Sequence, residues 1–143
     1  MVRFSLSAAL LVFAAAAPAD DAADLKALVG KWKLEKAEVG GADFLAQLKD
    51  LDFEIAPGGK YTAKFGGITD VGTFTVDSTK SPKTMDIKAS DGPNKGKTIP
   101  AVYKIDGDTV VICYQLGGGD RPKTFESKKD TQLFLATYKR VKP

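Results

Sequence analysis

Two-residue alternation of apolar and polar side chains is the feature that most constrains this chain. In LDFEI, Leu51, Phe53 and Ile55 share one phase, and Asp52 and Glu54 the other. KYTAKF repeats the pattern, with Tyr61, Ala63 and Phe65 against Lys60, Thr62 and Lys64. Successive side chains of a strand point to opposite faces, so this pattern specifies antiparallel sheet with one buried face and one wet face. GTFTV (72–76), TMDIKA (84–89), TIPAVYKI (98–105), TVVICYQL (109–116) and QLFLATYKRV (132–141) continue the series. With GKWKLEKAEV (30–39), eight strands are predicted.

The connections are short. Pro57-Gly58-Gly59 and Gly66-Gly67 are turn clusters, and Ile105-Asp106-Gly107-Asp108 is a two-residue hairpin signal. Hairpins in series make a meander. GGADFLAQLKDL (40–51) breaks the rhythm, because Phe44, Leu45 and Leu48 recur at helical spacing, and a short helix is predicted there after the first strand. Eight antiparallel strands in sequence leave two exposed edges, and pairing the first with the last removes both. The expected class is therefore all-β, an eight-stranded antiparallel up-and-down barrel, with a β-sandwich as the alternative. A barrel of this size holds either its own side chains or one small ligand.

Residues 1–19 read as a signal peptide. Arg3 supplies the positive start, Leu6 to Ala17 is an uncharged and mostly apolar run, and Ala17 and Ala19 are the small pair before a cut after Ala19. The run is shorter than the roughly 20 residues a membrane-spanning helix needs, so no membrane span is expected in the mature form. Residues 20–27 are then a linker, 28–143 the folded domain, and the destination the periplasm or the cell exterior. The short amphipathic stretch 22–29 reads as a linker or a helical turn leading into the domain.

The chain has 21 basic and 18 acidic residues, and removal of 1–19 takes away one base and no acid. The charges are interspersed, so no basic stripe marks a nucleic-acid partner. Histidine is absent, which excludes Ser-His and Cys-His nucleophilic pairs and histidine metal sites. The single Cys113 cannot form an internal disulfide and reads as a half-buried outer-face residue or a reactive thiol. Asp86, Asp91, Asp106, Asp108 and Asp120 lack the compact spacing of a calcium loop and read as turn residues. SDGPNKGKT and LGGGDRP are glycine-rich with basic residues, yet neither has phosphate-loop spacing or opens a helix, and both read as loops at a barrel mouth. No enzyme, cofactor or metal is expected.

Trp32 is the only tryptophan. Antiparallel pairing of the first and last strands would bring it beside Tyr138, Lys139 and Arg140. The indole would then plug the closed end beneath the Arg140 guanidinium, with Gly30 allowing close approach. Gly30-x-Trp32, together with a basic residue closing the last strand, resembles the signature of lipocalin and fatty-acid-binding barrels. LVGKWKL and ATYKRV are similar to the two ends of intracellular fatty-acid-binding proteins. From Leu28 to Lys142, SPKTMDI, DGPNKGKT, YKIDGDTVVICY and RPKTF resemble recurrent segments of a lipocalin-like family of small exported bacterial domains, frequent in planctomycetes. That resemblance implies a fold and names no activity. Fatty-acid-binding proteins hold a carboxylate with an Arg-x-Tyr pair on the last strand; here the stretch is Ala136-Thr137-Tyr138, and the arginine is missing.

Phe53, Tyr61, Phe74, Tyr103 and Tyr114 are therefore the expected lining of a site for one small apolar or aromatic ligand, with neutral ligands favoured over fatty acids. Arg121, after a triple glycine, is a candidate guard at the mouth. The alternative is a filled barrel that acts as a protein-interaction or structural module through its loops, with a protein partner that the sequence does not name.

Overall fold

The computed structural model describes residues 20–143, so the expected signal peptide, 1–19, lies outside the described residues. The alternating segments form strands β1 (Gly30–Val39), β3 (Asp52–Ala56), β4 (Lys60–Phe65), β5 (Ile68–Asp77), β6 (Lys83–Asp91), β7 (Thr98–Asp106), β8 (Thr109–Gln115) and β9 (Leu133–Arg140). Each pairs antiparallel with the next. β1 also pairs with β9, from Trp32 opposite Arg140 to Val39 opposite Phe134. The sheet closes into the expected eight-stranded barrel. Two-residue turns join Phe65 to Ile68 through Gly66-Gly67 and Asp106 to Thr109 through Gly107-Asp108, where the sequence signals turns.

Three local departures shape the barrel. A β-bulge in β1 between Leu34 and Lys36 leaves Glu35 unpaired and resets the inward phase from Trp32 and Leu34 to Ala37 and Val39. The connection after β1 holds a two-residue strand, β2 (Ala42–Asp43), that hairpins onto the end of β1, followed by a single 3-10 turn, Leu45–Leu48. β1 pairs with β3 only over Gly30–Trp32, so this short hairpin and helical turn cover the rest of that seam.

The third is residues 20–27, expected as a linker or a helical turn, where about two turns of helix form. Asp21–Leu28 is an α-helix, α1, whose N-cap Asp20 accepts from the Ala23 N–H. It closes one end of the barrel. Leu28 is fully buried, and Leu25 packs on the core beside it. A helix end leaves carbonyls without intrahelical partners, and the barrel supplies donors for them. Trp32 Nε1 donates to Leu28 O at 2.8 Å, and Arg140 donates to Ala27 O and Val29 O. Asp24 accepts from the Tyr103 hydroxyl at 2.6 Å and pairs with Lys83 at 2.9 Å.

Trp32, only 2% exposed, is the predicted plug. The Arg140 guanidinium lies 4.4 Å from its ring centroid and is fixed by Asp108 at 3.2 Å. Glycine suits position 30, because its φ of 143° is one that other residues rarely adopt and a Cβ would displace the Arg140 guanidinium, 2.7 Å away.

Candidate functional site

The opposite end of the barrel is not filled. A cavity of about 310 Å³ opens between the strand ends at that side. Its wall is built by the inward phase of the strands: Phe53 and Ile55 on β3, Tyr61, Ala63 and Phe65 on β4, Phe74 on β5, Met85 and Ile87 on β6, Ile112 and Tyr114 on β8, and Phe134 and Tyr138 on β9. Phe44, Leu48 and Leu51 cover it from the β1–β3 seam, and Pro93 and Asn94 from the β6–β7 loop. Phe53 packs on Tyr138 with ring centroids 4.9 Å apart, and Tyr114 stacks on Phe134 at 5.2 Å. These contacts hold the aromatic wall in place.

The polar groups in this wall are few. The Tyr114 and Tyr138 hydroxyls are 2.9 Å apart and share a hydrogen bond. Tyr61 donates to the Asp70 carboxylate at 3.4 Å, and the Asn94 side chain lies beside the same carboxylate. Burial holds all three phenols above the ordinary range. Tyr138 is pushed up to about 12, against the pull of its bond to Tyr114. For Tyr114 and Tyr61, burial acts first, and the nearby Tyr138 and Asp70 respectively push further. All three are neutral hydroxyls near neutral pH. Asp70 is itself raised by burial, against the hydrogen bonds of Tyr61 and Asn94.

Among the described residues, no lysine or arginine lines the cavity. An arginine like that of the Arg-x-Tyr pair in fatty-acid-binding proteins is thus not supplied by any described strand. Asp70 is the single charged group in the lining, and among the described residues it has no ion-pair partner within 4.0 Å.

The structure sorts the sequence-predicted residues into three places. Phe53, Tyr61, Phe74 and Tyr114 converge on the cavity as expected. Tyr103 points inward but lies at the closed end, 1% exposed, with its hydroxyl on Asp24; it is core and helix anchor, not lining. Arg121 does not guard the mouth. The connection after β8 turns back over the outer wall, where Arg121 donates to Met85 O and Ala101 O at 2.9 Å and pairs with Asp86. Asp86 therefore stands in strand β6 rather than in a turn.

That same connection buries Cys113. Its side chain is on the outer phase, as read, yet the residue is fully covered, and its thiol contacts the Glu126 carbonyl at 3.6 Å. Burial raises the thiol's pKa. This fits a packed thiol better than a reactive one.

Asp70 was missed in the sequence. It shares the phase of Gly72 and Phe74, so the alternation of β5 already placed it inward. Gly72 completes the arrangement, since a Cβ there would sit 2.9 Å from the Tyr61 ring. Among the described residues no group of three metal-ligating side chains exists, and no helix is long and apolar enough to cross a membrane. Comparison of the chain with protein-family models, with curated proteins and with solved structures finds no match.

Proposed function

We propose that this protein is an exported, non-catalytic, lipocalin-like binder of one small apolar or aromatic molecule. The observation that carries the reading is the open, aromatic-walled cavity of about 310 Å³, which falls in the ~300–1,000 Å³ range of small-molecule sites. The convergence of Phe53, Tyr61, Phe74 and Tyr114 supports it, as does the placing of neutral hydroxyls where they can orient a ligand. A non-catalytic role is supported by the absence of histidine and by the covering of the only thiol. The resemblance of residues 28–142 to exported lipocalin-like domains supports the same class.

A hydrophobic fluorescent probe is expected to bind the native protein saturably, at about one per chain. Phe134→Ala is expected to weaken it, whereas Arg121→Ala, on the outer wall, leaves probe affinity unchanged. Failure of the folded protein to take up any probe would favour the interaction-module alternative. Export follows from the leader-like residues 1–19, and a cut after Ala19 leaves the α1 N-cap Asp20 in place. Mass spectrometry of the native protein should find a chain starting at Asp20; an intact Met1 chain in the cytoplasm would refute it.

A further inference from the structure

We infer that the cavity selects a lipophilic amine: an apolar or aromatic body with a protonated nitrogen seated at Asp70. The inference rests on the ligand-binding reading above and adds the chemistry of the ligand's head group. Three observations carry it. Asp70 is the only charged residue in the lining, and it stands where the aromatic wall meets the mouth, beside Asn94 and Pro93. No cation of the described chain pairs with it. The groups near it, the Tyr61 hydroxyl and the Asn94 side chain, fix its position without neutralising its charge.

A carboxylate turned into an apolar space costs stability unless something compensates its charge. Asp70 is half-buried, and solvent at the mouth and the Tyr61 and Asn94 hydrogen bonds meet part of its charge. No cation of the described chain supplies the remaining compensation. A ligand that brings a cation supplies it, while the apolar and aromatic wall receives the body of the ligand. A carboxylate ligand meets the opposite situation. It would bring a second negative charge next to Asp70 with no lysine or arginine to receive it.

Titration adds a signature. Tyr61 on β4 and Tyr114 on β8 face Asp70, and both stay protonated well above neutral pH; Asn94 from the β6–β7 loop does not titrate. Among the described groups that line the cavity, Asp70 is thus the one that titrates on the acid side. Its pKa is raised in the native state, so the folded chain binds this proton more readily than the unfolded chain. Its contribution to stability is present at acid pH and is lost as pH rises through its raised range. At neutral pH, Asp70→Asn is therefore expected to leave the melting temperature unchanged or higher.

The test is displacement of a neutral hydrophobic probe by three ligands sharing one hydrocarbon body, an amine, an alcohol and a carboxylate. The amine is expected to bind about ten- to a hundredfold tighter than the alcohol, and the carboxylate weakest. In Asp70→Asn, whose melting temperature reports that the fold is intact, the affinity ratio of amine to alcohol should fall to about one, whereas Arg121→Ala, on the outer wall, should keep it. The advantage should also fade as pH drops through the Asp70 range. No probe binding at all refutes the cavity reading itself. Probe binding with no preference for the amine, or a preference that survives Asp70→Asn, overturns the head-group inference alone.

Discussion

Trp32 and Arg140 tie three parts of the chain together at one point. The indole fills the barrel floor, its N–H holds the end of α1, and the guanidinium lies over its face while bonding helix carbonyls and Asp108. Removing the ring should cost about 3–5 kcal/mol, as large aromatic truncations in cores do. Arg140→Ala should cost less, because its side chain is a quarter exposed. Since the two touch, their losses in denaturant unfolding should not add; additive losses in a double-mutant cycle would mean that the contact carries no energy. This pair was legible in the sequence, because strand pairing alone places the ends of β1 and β9 side by side. Asp70 was equally accessible by phase but was passed over. An acid in an alternating strand reads by habit as an outer-face residue, and only the Phe74 phase shows otherwise.

Among the elements, the connection between β8 and β9 was the hardest to read. It has no periodicity, so nothing in residues 117–132 says that it folds back on the barrel wall. The outer faces of Val102 and Cys113 give the physical reason: both are buried although they point away from the barrel interior, and Pro122 is buried with them. Arg121 fastens this strap to β6 and β7 near Pro100, which has no N–H to give the ladder. Arg121→Ala should cost about 1–3 kcal/mol by leaving these contacts unmade. It should also speed the reaction of Cys113 with a thiol reagent under native conditions. Unchanged labelling would mean that the strap is held by its apolar contacts instead. Tyr103 shows a related limit of strand patterns. Alternation tells which face a side chain takes, while its height along the barrel axis depends on register, and register put Tyr103 at the floor. The segment of α1 reads as a linker or a helical turn because eight residues are too few for a helix that is stable alone; its stability comes from the barrel floor it caps.

At the scale of the whole molecule, closure of β1 on β9 removes both sheet edges, and the two ends then differ. One end is stopped by α1, Trp32 and Tyr103, and the other is left to a short hairpin, one helical turn and loops. The fold class was legible because alternation and turn glycines act locally and all agree. Whether the interior is full was not legible, since it depends on how many large rings share the space at one height. Ala63 decides the matter. Its small side chain faces the cavity from β4, with Phe53 on the neighbouring β3 and Asp70 on β5 in register. The direct measurement is the unfolding free energy of Ala63→Leu from denaturant titration. With an open cavity, the added methyl groups enter empty apolar space, and stability should stay the same or rise. A filled barrel would have to strain to accept them, and a loss of about 1–3 kcal/mol, the usual cost of overpacking, would contradict the open cavity.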